Sequence, residues 1–271
     1  MNDLNVLEHK YKTKLYFGLS FLITWLAGFT IAFQSHTGRE KSILLLFLAY
    51  MGPMIAAFIT YIIDRDKIGF VDFKRRVINP ILIKPKYFLV ALFLMPMAML
   101  VSIGISIIFG QPIGQLQITE EFAVFNGELV LSMVILALVP VLEELGWRSY
   151  GVDAIRSKNN LFRTSLYFGL LWGVWHLPVF FIKGSYQASL WQMNPVYALN
   201  FFVGIVPLAF IMNYLYYKNK RSVLLLSIFH IMVNYSSEIF RANQISKCIL
   251  TLVLMFISYI LYLKDKKFFI Q

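Results

Sequence analysis

Four residues stand out because their types suit hydrolysis and their positions are unusual. Glu143 opens the run Glu143-Glu144-Leu145-Gly146-Trp147-Arg148, which directly follows an uncharged stretch, Leu129–Leu142. His176 lies in Trp172-Gly173-Val174-Trp175-His176-Leu177-Pro178, deep in a second apolar stretch. His230 and Asn234 lie in a third, and their i, i+4 spacing puts them on one helical face. A glutamate can take a proton from water as general base. Histidines can orient that water, donate to a leaving amine or ligate a metal. An asparagine can donate to a developing oxyanion. Together these types describe an amide hydrolase. Each alone has a plainer reading, since a single buried histidine is usually a satisfied packing residue and Glu143–Arg148 could be interfacial. No Gly-x-Ser-x-Gly elbow, His-Glu-x-x-His helix or phosphate loop is present.

The elements that carry these residues follow from composition. Of 271 residues, 59% are hydrophobic and 14% charged, about half the charge of a typical soluble domain. A soluble fold of this size has too little interior to hide so much apolar surface. That excludes an ordinary cytosolic domain, a disordered chain and a secreted disulfide scaffold. The single cysteine, Cys248, can form no internal disulfide. A net charge of +11 would point to nucleic acid in a soluble protein. Here it belongs to the ends of membrane spans, and no nucleic-acid partner is expected.

A span needs about 20 apolar residues to cross roughly 30 Å of hydrocarbon. Eight segments qualify or nearly so: Leu15–Phe33, Ser42–Ile63, Tyr87–Gly110, Leu129–Leu142, Thr164–Ile182, Val196–Tyr217, Ser222–Ser237 and Ile249–Leu263. They are continuously apolar, so they read as helices rather than strands of a barrel. The expectation is an all-α, polytopic membrane protein of eight transmembrane helices, forming a single transmembrane domain over residues 1–271. The first segment is too long for a signal peptide and lacks a small-residue cleavage site. Alternate connecting stretches hold 20 of the 25 lysines and arginines, which places both termini in the cytoplasm. Lys74-Arg75-Arg76, in the largest of these stretches, reads as a solvated anchor at the membrane surface.

Leu129–Leu142 is too short to span, so its helix should continue to about Tyr150. That draws Glu143, Glu144 and Arg148 into the membrane zone, where each costs at least about 3 kcal/mol. Counting 1.5 Å per residue, Glu143, His176, His230 and Asn234 all fall in the inner to middle part of the bilayer. They are expected to line one cavity entered from the cytoplasm. Glu144 and Arg148, spaced i, i+4, suit an ion pair, which leaves Glu143 on another face. Pro140 and Pro178, each near an ionisable residue, free backbone carbonyls and permit kinks. Gly169 and Gly173 permit close helix approach.

Glu143-Glu144-x-x-x-Arg148, then Trp172-x-x-x-His176, then His230-x-x-x-Asn234 resembles the CPBP family of intramembrane proteases, the CAAX protease and bacteriocin-processing (Abi) family. The motifs cover about Leu129–Phe240, a catalytic core over residues 129–240, and their contexts look like bacterial members. The resemblance implies that Glu143 activates water, that His176, His230 and Asn234 position it and stabilise the oxyanion, and that Glu144 and Arg148 support the site. Trp172 stands where the family commonly has phenylalanine. It keeps the apolar wall and adds an N–H donor. Glu143, His176 and His230 are compatible with zinc, and the same residues also serve a metal-free mechanism. The implied setting is a bacterial plasma membrane, with lipid and a peptide or membrane-protein substrate as partners. Two other functions fit the motifs less fully: a non-catalytic factor such as a bacteriocin immunity protein, and a small transporter.

Overall fold

The structure is a computed structural model that describes residues 11–40, 42–65, 67–123 and 127–271. His9 and Lys10 lie outside these. Nearly all the described chain is helical, and among the described residues the only β-type pairing is an isolated bridge between Ile118 and Phe240. The principal helices are α1 (Thr13–His36), α2 (Ile43–Asp64), α3 (Lys67–Ile78), α4 (Pro85–Ile108), α5 (Gly127–Gly146), α6 (Val152–Arg156), α7 (Leu161–Trp175), α8 (Tyr186–Met193), α9 (Pro195–Lys218), α10 (Val223–Ile239), α11 (Gln244–Lys264) and α12 (Lys266–Ile270).

Among the described residues, seven helical stretches are long and apolar enough to cross a membrane, counting Leu129–Arg156 and Leu161–Phe181 as continuous through their distorted turns. The expected seventh segment is the exception: α10 has 17 residues and falls short of that length. The expected extension of the fourth segment past Leu142 is present, with α5 running on through a π-helical turn, Trp147–Gly151, into α6. The fifth segment is not one helix. α7 stops at Trp175 and a 3₁₀ turn follows at Leu177–Phe181. Pro178 explains this break, because it offers no N–H to the helix and disfavours helical geometry at Leu177.

The long helices touch in a closed circuit, in the order α1, α2, α5, α10, α4, α11, α9, α7 and back to α1. Their connections gather at two ends. At one, Lys12 pairs with Asp64, the Lys84 N–H donates to Asn219, and Lys218 pairs with Asp265. At the other, the Lys183 N–H donates to Ser35, Arg241 pairs with Glu120, and the Asn243 side-chain amide donates to Gln111. The first is the cation-rich end and the second the cation-poor end of the sequence pattern.

Two prolines create links between helices. Pro53 cannot bond the Ala49 carbonyl, and the Thr24 hydroxyl donates to it instead at 2.8 Å. Pro140 likewise leaves the Leu136 carbonyl free, and it accepts from the Asn234 amide at 3.4 Å. Among the described glycines, the backbone of another helix comes nearest at Gly146, where an added Cβ would lie 2.2 Å from the Pro53 carbonyl carbon. Gly169 serves α7 in the same way, with an added Cβ 3.0 Å from the Val206 Cα, whereas Gly173 makes only ordinary contact with Phe202. Because the obstacle at Gly146 is backbone, Gly146→Ala must push α2 from α5. It should cost about 1–3 kcal/mol, read as a fall in melting temperature of the detergent-solubilised protein. Gly104→Ala, with nothing within 4 Å of the added carbon, should not lower it.

Candidate active site

The site begins where α5 loses its regular winding. The π turn leaves the carbonyls of Arg148 and Ser149 without ordinary helical partners. The Arg148 carbonyl accepts from Arg76 and from the Tyr216 hydroxyl, the latter at 2.7 Å. The Ser149 carbonyl accepts from the Tyr61 hydroxyl at 2.7 Å and from Arg76 at 3.2 Å. Arg76 is only 2% exposed. It is therefore not the solvated anchor that its sequence neighbourhood indicates, because a turn of α3 folds it back under the bundle. Arg76 also bonds Asp72 at 2.8 Å, and Arg221 pairs with both Asp72 and Asp153. Asp153 further accepts from the Tyr217 hydroxyl at 2.8 Å. Burial would raise the Asp72 pKa, but the Arg76 and Arg221 guanidinium groups outweigh it and hold the carboxyl below the usual carboxylate range. This ionic cluster fills the cation-rich end beneath the site.

One turn above it sits Glu144, wholly buried. Arg148 lies 3.2 Å from one of its oxygens, the expected i, i+4 pair. The other oxygen, Oε1, accepts from Arg148 at 3.4 Å and also takes the Nδ1 of His230 at 3.0 Å, a partner the sequence did not indicate. A carboxylate only accepts, so Nδ1 carries a proton, and it is Nε2 that faces away from Glu144. Among the described residues Arg148 has no other anionic partner, and it stacks its guanidinium over Phe168, 4.7 Å from the ring centre.

Glu143 is 4% exposed and points elsewhere. Its Oε2 accepts from the Trp172 Nε1–H at 3.0 Å. Trp172 is the hub of the site, with its ring 5.2 Å from that of His230 and 5.9 Å from that of His176. His176 caps the C-terminus of α7, and its Nδ1 donates to the Trp172 carbonyl at 2.7 Å. Its Nε2, like that of His230, has no hydrogen-bond partner among the described residues. Asn234 keeps one amide hydrogen after donating to Leu136.

Glu143, His176, His230 and Asn234 line one cavity of about 430 Å³. It continues along Leu136 and Val139 of α5 and Ser237 and Glu238 of α10 to Tyr186, Gln187, Gln244 and Lys247. That is the cation-poor end. A cavity entered from the cytoplasm and cytoplasmic termini therefore do not hold together. Depth along the sequence placed the four residues at one level, but the ionic cluster decides which way the void runs. No three His, Cys, Asp or Glu side chains among the described residues are arranged to hold a metal ion. Glu143, His176 and His230 share the cavity, and because each ring is held through its Nδ1, the two Nε2 atoms and the second Glu143 oxygen stay available, the disposition a histidine metal ligand has as well.

Removing the anion from this arrangement leaves a buried cation alone. Glu144→Leu should cost about 3–5 kcal/mol and reduce the yield of folded protein. Adding Arg148→Met removes the stranded charge and should restore most of the melting temperature. If the double variant melts as low as the single one, the pair does not set stability here.

Comparison with known proteins agrees with this architecture. The family profile described as type II CAAX prenyl endopeptidase, Rce1-like, matches residues 125–236, the stretch that holds all the residues above from Glu143 to Asn234. The chain is also 35% identical to CAAX prenyl protease 2 of Methanococcus maripaludis over 266 residues, covering 97% of this chain and 98% of that protein. A similarity that extends over both whole chains includes the helices that surround the site as well as its motifs. This multi-pass membrane protein accordingly belongs to the Rce1-like family of type II CAAX prenyl endopeptidases.

Proposed function

We propose that the protein cleaves a peptide bond of a membrane-embedded substrate and that Glu143 is its general base. The observation that carries this reading is the Trp172 N–H on Glu143 Oε2 at 3.0 Å. It fixes the buried carboxylate beside two imidazoles that both present a free Nε2. A water between them would give one proton to Glu143, while a histidine Nε2 accepts its other hydrogen bond. The new C–O bond forms at the scissile carbonyl, whose electrons pass to the oxygen. The second amide hydrogen of Asn234 donates to that oxyanion. Collapse breaks the C–N bond, and Glu143 returns its proton to the leaving amine. Glu144 acts through His230, whose tautomer it fixes, and so belongs to positioning rather than to proton transfer. No step needs a metal.

For topology we propose eight crossings, with α10 as the short one and the cation-rich end in the cytoplasm. The cavity then meets its substrate from the opposite side. In a Cys248→Ser background, a membrane-impermeant thiol reagent added outside intact cells should label Lys183→Cys and spare Lys266→Cys. The reverse pattern would invert this orientation. A non-catalytic immunity role is not favoured, because the whole-length relative carries a protease name.

Glu143→Gln should lower peptide turnover by about 10²- to 10⁴-fold while leaving the protein folded. Trp172→Phe keeps an aromatic ring but removes the donor to Glu143, and should lower kcat by about ten- to a hundredfold. Turnover unchanged in Glu143→Gln would overturn the assignment of the base.

A further inference from the structure

The far end of the cavity carries a feature that the hydrolytic chemistry does not use. Among the described residues lining the cavity there is a single lysine or arginine, Lys247. It lies in the first turns of α11, and its ammonium sits over the Tyr186 ring, 4.4 Å from the centre. The Tyr186 hydroxyl donates to Gln244 Oε1 at 3.1 Å, so α8 and α11 are tied at this point. That bond engages the Gln244 oxygen and leaves its NH₂ group with both hydrogens. Asn200 of α9 donates to the Lys247 carbonyl at 3.4 Å and fixes the backbone on the other side. Glu238 lines the same stretch from α10 but forms no ion pair with Lys247. The cavity wall thus holds a positioned ammonium that pairs with no carboxylate among the described residues, next to the amides of Gln187 and Gln244. A cation beside a largely apolar void gains most from an anion that the void itself admits.

We propose that Lys247 is a specificity residue that holds a carboxylate of the bound peptide, with Gln244 assisting. This rests on the peptidase reading above and adds the charge of the ligand to it. The carboxylate has two sources, the peptide's own C-terminus or an acidic side chain. A lysine at the end of a span can also reach for lipid phosphate, and the test separates that case.

The experiment measures binding, so that it does not depend on turnover. Full-length protein carrying Glu143→Gln is placed in phosphatidylcholine nanodiscs. Three fluorescent apolar decapeptides are titrated: one with a free C-terminal carboxylate, one with a C-terminal carboxamide, and the carboxamide peptide with one aspartate near its end. At least one carboxylate peptide should bind roughly tenfold more tightly than the neutral one. Whichever does so names the source. Adding Lys247→Gln should bring that ratio to about one, and Lys247→Arg should keep most of it. A ratio that survives Lys247→Gln, or equal weakening of all three peptides, would overturn the proposal. So would a ratio near one in the parent, or a Lys247 effect that appears only with anionic lipid. Those failures concern Lys247 alone. The peptidase reading fails separately, on Glu143→Gln turnover.

Discussion

The Glu144 carboxylate is the interaction on which the site depends. Its two oxygens face an arginine of the same chain segment and a histidine of another helix. In a low-dielectric interior either charge alone would be costly. Paired, they fix three things together: the end of α5, the docking of α10 against it, and the tautomer of His230. The neighbouring Glu143 is then free to point the other way, toward Trp172. Two adjacent carboxylates with opposite surroundings receive different work. One is neutralised and structural, and the other is held by a neutral donor at the wall of a cavity.

The same economy recurs in the backbone. A membrane-embedded helix that departs from regular geometry exposes carbonyls that lipid cannot satisfy. Each departure near the site is matched by a side chain from another helix. Thr24 answers Pro53, Asn234 answers Pro140, and Arg76, Tyr61 and Tyr216 answer the π turn. These bonds are how irregular helices become a fixed scaffold. Asn234 shows that a group of this kind can serve twice, since the bond that seats it leaves a second hydrogen for the cavity.

The ionic cluster of Asp72, Arg76, Asp153 and Arg221 gives the molecule its polarity as well as its stability. It fills one end beneath Glu144, and the cavity extends toward the other end.

Much of this was legible in the sequence. Continuous apolar runs required helices, because backbone in lipid must bond to itself, and an uncharged segment too short to span required the helix to continue through Glu143–Arg148. The i, i+4 rule paired Glu144 with Arg148 and put His230 beside Asn234, Pro178 marked where a helix breaks, and Pro140 freed a carbonyl within one. Such periodicities are local, and a sequence records them directly. It could not show that Arg76 turns inward, since a basic run in a loop has the same composition whether solvated or buried. Nor could it show that His230 chooses Glu144 over Glu143, that Trp172 bonds Glu143, or that the cavity runs away from the cation-rich end. Each of these depends on which groups are brought within 3 Å across separate helices, and only the packing of the ring of helices decides that.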